Sequence, residues 1–128
     1  MPPEPGSPDS WMRFARSDLA LARQRPGQDV VLEALCFHAQ QAAEKALKAV
    51  LIYFGIPAPR THSIERLVGL LPGSIEPTPA LVQAAVLTDY AVAFRYPGDE
   101  ESVTEQDHAE AARIAGAVVA WAEDLLRR

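Results

Sequence analysis

Apolar residues recur every three or four positions through most of this chain, a spacing that predicts amphipathic helices. The first helix is predicted to begin near Ser10 and to end at the Arg-Pro-Gly sequence of residues 25–27. Its expected core stripe consists of Trp11, Phe14, Ala15, Leu19, Leu21 and Ala22. The arginines that fall outside this stripe are Arg13, Arg16 and Arg23.

The second predicted helix is longer and separates apolar from polar residues. Asp29 is its expected N-cap, and it runs to about Phe54, where Gly55 and Pro57 end it. Its apolar face is formed by Leu32, Leu35, Ala39, Ala43, Ala46, Val50 and Phe54. The opposite face carries a polar stripe formed by His38, Gln41, Lys45 and Lys48. We therefore expect this helix to leave one hydrophilic edge exposed.

The middle of the chain contains two further predicted helices. Residues 56–62 include two prolines and are expected to be extended, after which Thr61 or Ser63 caps a short helix. Thr78-Pro79 combines an N-cap with proline at the first helical position, which predicts a helix running towards Phe94.

The last predicted helix follows a capping box formed by Ser102 and Glu105 and continues to about Leu126. Its expected core stripe consists of Ile114, Val118, Trp121 and Leu125. No segment shows the sustained alternation of a strand, so the predicted fold is all-α. We expect residues 1–9 to form a disordered or frayed tail, and residues 10–128 to form one antiparallel bundle of about five helices, two of them long.

Composition narrows the class of protein without indicating a reaction. The chain is 48% hydrophobic and 23% charged, as is usual for globular proteins, and neither a secretory signal nor a membrane anchor is visible. Its one cysteine, Cys36, fits a reducing compartment, so a cytoplasmic location is expected. The net charge of −5 argues against a broad phosphate-binding surface but leaves room for a local basic groove. No glycine-rich phosphate loop or metal-ligand spacing is present, and we expect no cofactor and no metal.

Three segments together resemble the HEPN family, the higher eukaryotes and prokaryotes nucleotide-binding domain. They are WMRFARSDLALA at residues 11–22, CFHAQQAAEKALKAVL at 36–51 with PRTH at 59–62, and FRYP at 94–97. The resemblance implies an antiparallel helical bundle that is usually a homodimer and associates with nucleotides or RNA. It also implies a minimal nucleotidyltransferase as partner, in a toxin–antitoxin-like module of two proteins.

Some branches of the HEPN family are metal-independent RNases, and these carry an arginine followed by four to six residues and a histidine. No arginine of this chain has a histidine at that separation. After Arg95 the corresponding positions are Glu100, Glu101 and Ser102, and acidic groups there would repel a phosphate. The usual RNase motif is therefore absent. Two alternatives stay open, an RNase with a rearranged set drawn from Arg95, His38 and His62, and an interaction scaffold without nucleotide chemistry.

Candidate binding residues lie in three places, and each place has a purely structural alternative. The polar stripe is either a site for phosphate or an acidic partner, or a solvated face. Arg60 and His62 precede a helix start, where His62 alternatively helps to cap the helix. Arg95 and Tyr96 form either a recognition corner for phosphate and base or an ordinary helix end.

Asp18 is unusual because it shares the expected buried face with Trp11, Phe14 and Leu21. A buried carboxylate needs a partner, so we expect a hydrogen bond or ion pair with a basic or hydroxyl side chain of another helix. This structural pairing is favoured over a role as catalytic acid.

Overall fold

Three long helices lie side by side in the computed structural model, which describes residues 6–27, 29–93 and 103–128. In chain order, the helices are α1 (Pro8–Ala22), α2 (Leu32–Tyr53), α3 (Ile64–Gly69), α4 (Pro79–Gln83), a 3₁₀ helix (Ala84–Leu87), α5 (Thr88–Ala93) and α6 (Glu105–Leu126). The described residues contain no β-strand, and their only β-type pairing is an isolated bridge between Gly27 and Val30. The all-α prediction is confirmed.

Helix α2 is central, since it contacts α1, α3, α5, α6 and the 3₁₀ helix. Alanines make up much of its buried surface and allow its neighbours to approach closely; Ala39, Ala42, Ala43, Ala46 and Ala49 are all fully buried. Burial therefore extends around most of this helix, and the predicted division into one apolar and one polar face is too simple. Phe54, expected in the core, is 39% exposed because it lies just beyond the helix end.

Helix α1 turns a different face to the core from the one predicted. Its buried apolar residues are Met12, Ala15, Leu19 and Ala22. Phe14 and Leu21 were expected in the core but are 54% and 36% exposed. The cause is that α1 packs against both α2 and α6, so its buried arc lies between those two neighbours. The helix begins at Pro8, slightly before the predicted start, because Ser7 caps it by accepting a hydrogen bond from the Ser10 amide.

Helix α2 begins at Leu32, later than predicted, and its N-cap residue Val31 makes no side-chain capping bond. The reason lies just upstream, where the Gly27 and Val30 backbones exchange hydrogen bonds of 3.1 and 3.3 Å. That bridge holds Asp29 in a turn, where its exposed side chain does not cap the helix.

The other end of α2 follows the prediction that Gly55 ends it. Gly55 has φ of +75°, and its amide donates to the Ile52 carbonyl at 2.9 Å. The Ile56 amide donates to the Leu51 carbonyl, also at 2.9 Å. This pair of bonds is a Schellman motif, in which glycine takes the left-handed position.

The predicted caps of the middle helices are confirmed at Ser63 for α3 and at Thr78 for α4. The single helix expected from Thr78-Pro79 towards Phe94 is instead divided into α4, the 3₁₀ helix and α5. The tighter 3₁₀ turn brings residues three apart onto one side, so that Ala84 and Leu87 are both fully buried. Phe94 lies outside the described residues.

Helix α6 begins at Glu105 with a capping box shifted two residues from the predicted one. Thr104 Oγ1 accepts a hydrogen bond from the Asp107 amide, and Asp107 Oδ2 accepts one from the Thr104 amide, both at 3.0 Å. Ile114 and Val118 are buried as predicted, whereas Trp121 and Leu125 are half-buried at the edge of the core.

Candidate functional site

A cluster centred on the Asp18 carboxylate joins α1 to α2. Asp18 is buried, and its Oδ2 lies 2.6 Å from Lys45 Nζ while its Oδ1 lies 2.9 Å from His38 Nδ1. The Lys45 ammonium also lies 5.9 Å from the centroid of the Phe14 ring. We name Phe14, Asp18, His38 and Lys45 the Asp18 cluster. The structure therefore gives Asp18 two basic partners, both from the neighbouring helix.

A second cluster, centred on Glu44, has the same kind of composition. Glu44 Oε2 lies 3.0 Å from Lys48 Nζ, and its Oε1 lies 2.8 Å from His62 Nδ1. The Lys48 ammonium lies 5.6 Å from the centroid of the Trp11 ring. Gln40 completes the group by donating from Nε2 to Glu44 Oε1 at 3.0 Å. We name these five residues the Glu44 cluster.

Gln40 is fully buried and ties the connection between α2 and α3 to α2. In addition to its bond to Glu44, Gln40 Nε2 donates a hydrogen bond to the His62 carbonyl at 3.1 Å. Gln40 Oε1 accepts a hydrogen bond from Gln41 Nε2 at 2.7 Å. Both amide hydrogens and the amide oxygen of Gln40 therefore have partners, which is what a buried polar side chain requires.

Both histidines contact their carboxylate through the same ring nitrogen. An Nδ1–H group donating to a carboxylate fixes the tautomer and leaves Nε2, on the far side of the ring, as an acceptor. The His62 side chain is 62% exposed and that of His38 is 32% exposed. Each imidazole is thus held in one orientation, with Nε2 available to form a hydrogen bond with a ligand.

The lysines of the predicted polar stripe are partners of buried carboxylates and do not form an exposed pair of positive charges. Lys48 is buried, and the Lys45 side chain is 24% exposed. The ammonium groups of Lys45 and Lys48 balance the carboxylates of Asp18 and Glu44, so the two clusters carry no net formal charge while their histidines are neutral. The expectation that Lys48 lies on an open edge is therefore corrected, because Glu44 draws its ammonium group inward.

The structure brings together only some of the predicted site residues. His38 and Lys45 meet at Asp18, His62 and Lys48 meet at Glu44, and Gln41 reaches the second cluster through Gln40. Arg60 is exposed and makes no hydrogen bond or ion pair with another described residue. Arg95 and Tyr96 lie outside the described residues.

Sequence reasoning missed Glu44 and Gln40 as members of the site. The spacing of Glu44 and Lys48 is visible in the sequence, but on an amphipathic helix that spacing usually indicates an exposed ion pair. Only the packing of neighbouring helices shows that this pair is buried. Gln40 gives no local signal, because its partners come from the connection after α2 and from the next turn of the helix.

Neither a metal-binding group nor a membrane-spanning helix is found in the described part of the chain. No group of three or more His, Cys, Asp or Glu residues there is arranged to hold a metal ion. None of the described helices combines the length and the apolar character needed to cross a bilayer.

Comparison with known proteins gives a consistent result. The HEPN domain family model matches residues 9–125. The crystal structure of TT1696 from Thermus thermophilus is similar, with a TM-score of 0.80 and 30% identity over 93% of this chain and 98% of that one. The crystal structure of ST0689, an archaeal HEPN homologue, has a TM-score of 0.72 and 30% identity over 93% and 97%. No curated protein sequence matches the chain significantly. With nearly its whole length matched by the family model and by both folds, this chain belongs to the HEPN domain family.

Proposed function

We propose that this protein acts as a HEPN homodimer that associates with a minimal nucleotidyltransferase in a toxin–antitoxin-like module, and that it binds nucleotide or RNA. Membership of the HEPN family supports the nucleotide-related role. The absence of the arginine–histidine spacing of the RNase branches favours association over catalysis.

The observation that carries the proposal is the pair of histidines held by buried carboxylates. Holding ionised groups inside a protein costs desolvation energy, and apolar residues of similar size would often be at least as stable. In the Asp18 and Glu44 clusters, this desolvation cost accompanies contacts that fix His38 and His62 while part of each ring stays accessible. The exposed Phe14 ring lies in the same region. Oriented hydrogen-bonding groups beside an aromatic ring suit recognition of a polar, ring-containing ligand or a polar protein surface.

Co-expression with whichever polymerase-fold protein is encoded beside this chain tests the association. We expect both proteins to elute together from size-exclusion chromatography, with light scattering giving a mass that contains two copies of this chain. The double variant His38→Ala/His62→Ala should weaken co-elution, whereas Arg66→Ala, which changes an exposed side chain of α3, should not. Separate elution of the wild-type proteins would contradict the association, and a purely monomeric chain would contradict the dimer.

An RNase with a rearranged site is the alternative, and the contact between His62 and Glu44 favours it. An imidazole oriented by a carboxylate is a common arrangement for a general base. Purified protein would be incubated with RNA beside His62→Ala, His38→Ala and Arg95→Ala. Cleavage that disappears in the variants would support the enzyme, and equal background cleavage in all four proteins would exclude it.

An interaction scaffold without nucleotide chemistry is separated from both functions by calorimetry. ATP, GTP and short RNA would each be titrated into the wild-type protein and into Lys45→Ala. Saturable binding that is lost in the variant would contradict the scaffold.

A further inference from the structure

We propose that an arginine strip on α1, formed by Arg13, Arg16 and Arg23, binds the phosphodiester backbone of RNA beside α6. This inference rests on the proposed association with RNA and assigns it a surface. That surface differs from the Asp18 and Glu44 clusters, whose lysines are already neutralised by carboxylates.

Positive charge is concentrated on one exposed side of α1. After Asp9, every exposed charged residue of α1 and of its C-cap is an arginine. The whole chain has a net charge of −5, so the sign of this strip is opposite to that of the chain as a whole. Arg13 makes no hydrogen bond or ion pair with another described residue. At a rise of about 1.5 Å per residue, Arg13 and Arg23 lie roughly 15 Å apart along the axis.

Open space lies next to two of these arginines, Arg16 and Arg23. A surface hollow of about 300 Å³ lies between α1 and α6. Its lining includes Arg16, Ala20, Arg23, Gly116, Ala120 and Glu123. The small residues of this lining leave room beside the two guanidinium groups, enough to admit a phosphate group. Guanidinium groups suit such a ligand because their fork of N–H donors matches two phosphate oxygens.

Arg23 lies directly against α6 at Gly116. A Cβ atom added at Gly116 would lie only 2.7 Å from Arg23 Nη2, so the guanidinium rests against α6 where there is no side chain. Gly116 therefore allows Arg23 to lie beside the hollow. Alanine at this position would displace the flexible end of Arg23 at little cost in stability. The substitution therefore tests whether the position of the Arg23 guanidinium group matters for RNA binding.

An incoming phosphate would replace a weak ion pair between Arg16 and Glu123. Arg16 Nη1 lies 3.5 Å from Glu123 Oε1, and the two side chains are 53% and 35% exposed. Exposed pairs of this kind contribute little to stability, so Arg16 can exchange Glu123 for another anion. The Glu123 carboxylate also lines the hollow and repels a phosphate. Removing its charge should strengthen RNA binding.

The length of the strip favours RNA over a mononucleotide. A mononucleotide carries its charge at one end and would use one arginine or two, whereas a strip about 15 Å long can contact successive phosphates. An acidic peptide is the other polyanion of suitable length, and its carboxylates also accept guanidinium groups in a fork geometry. RNA is favoured over the peptide because the proposed function already associates this chain with RNA, and the competition described below separates the two.

The test is fluorescence anisotropy with a short, unstructured, labelled oligouridine titrated at several salt concentrations. Arg16→Gln/Arg23→Gln should bind about tenfold more weakly at low salt and should lower the slope of log affinity against log salt by about 1.4, since each contact with a single strand contributes about 0.7. Gly116→Ala should weaken binding and Glu123→Gln should strengthen it. Arg66→Gln, which removes one positive charge from an exposed position of α3, is the control for general loss of charge, and circular dichroism checks that each variant folds.

The outcomes separate this inference from the proposed function. Unchanged affinity in the double arginine variant, or an equal loss in Arg66→Gln, would overturn the arginine strip while leaving RNA binding in place. Polyglutamate competing as well as unlabelled RNA would assign the strip to an acidic protein and overturn it too. A wild-type protein that binds no RNA would overturn both the strip and the RNA association, whereas co-elution with the nucleotidyltransferase is measured independently.

Discussion

The His62 Nδ1 atom lies 2.8 Å from Glu44 Oε1, so a largely exposed imidazole is fixed by an almost fully buried carboxylate. The two side chains differ in accessibility, at 62% and 5%. Glu44 must therefore draw most of its compensation from the buried ammonium of Lys48 and from Gln40. Because these two hydrogen-bonded residues differ so much in solvent exposure, their contributions to stability can be separated by experiment.

Glu44→Ala should destabilise the protein far more than His62→Ala. The first change leaves the buried Lys48 ammonium without its carboxylate, which typically costs about 3–5 kcal/mol. The second removes one hydrogen-bonding partner that is mostly in water and leaves Glu44 in contact with Lys48 and Gln40, so the expected loss is about 0.5–1.5 kcal/mol. Urea unfolding followed by circular dichroism gives both values. Similar losses for the two variants would show that Lys48 does not depend on Glu44 in the folded protein.

Asp18→Asn should reduce the free energy of unfolding by about 2–3 kcal/mol, because an amide cannot balance the Lys45 ammonium it contacts. The matched control is Asp29→Asn, which changes an exposed aspartate in the turn before α2. We expect the control to stay within about 0.5 kcal/mol of the wild type. If the two substitutions were equally mild, the Asp18 cluster would contribute little to holding α1 against α2.

Stability should fall as the pH rises from about 9 to about 11. Burial raises the pKa of the Cys36 thiol from 9.0 to about 11, with smaller contributions from the negative charges of Asp107 and Glu33. Between these values the unfolded chain releases the thiol proton while the folded chain keeps it, so unfolding becomes easier. Two pH units correspond to a loss of roughly 2–3 kcal/mol from this group.

The control for this pH dependence is Cys36→Ala, whose stability should decline less steeply over the same range. Tyr90, whose pKa is also raised by burial and by the nearby negative charges of Cys36, Asp107 and Asp89, remains in both proteins and contributes a smaller background in the variant, which lacks the Cys36 charge. Guanidinium unfolding at several alkaline pH values provides the measurement. If plots of unfolding free energy against pH were parallel for the two proteins, the pKa of the Cys36 thiol would not be raised in the folded protein.

Gly55→Ala should destabilise the protein by about 1 kcal/mol, because an alanine must adopt the left-handed φ of +75° at the end of α2. Gly69→Ala is the control, since a Cβ there meets no other atom and its φ is not positive. In a helix, alanine is favoured over glycine, so the control should be neutral or slightly stabilising. Thermal unfolding would distinguish them, and a stable Gly55→Ala protein would imply that this helix end rearranges freely.

Local sequence signals were sufficient for much of the fold. Ser63 and Thr78 cap helices as their positions predict, and Gly55 ends α2. These signals depend on neighbouring residues only, which is why they could be found without tertiary information. Asp29 is the exception among the caps, because the backbone bridge from Gly27 to Val30 determines where α2 begins.

Features that depend on the direction of packing could not be found in this way. Phe14 is apolar but exposed, and Lys48 is charged but buried, because the exposure of both depends on where α1 lies against α2. In the candidate site, the sequence indicated His38, His62 and the buried Asp18 that contacts His38, but not Glu44 or Gln40. Glu44 and Gln40 acquire their roles only when the connection after α2 folds back against that helix.

The spacing of the contacts between α1 and α2 has a consequence for how these helices align. Trp11 and Phe14 are three residues apart on α1, and their ring contacts, Lys48 and Lys45, are three apart on α2, in reverse order. Alanine-rich surfaces such as that of α2 have few large side chains to resist sliding. Displacing α1 along α2 by about one turn, so that Phe14 moves towards Lys48, would carry Asp18 away from His38 and towards the level of Glu44, placing two buried carboxylates close together. The charged contacts therefore stabilise one alignment of the two helices and destabilise the neighbouring alignments.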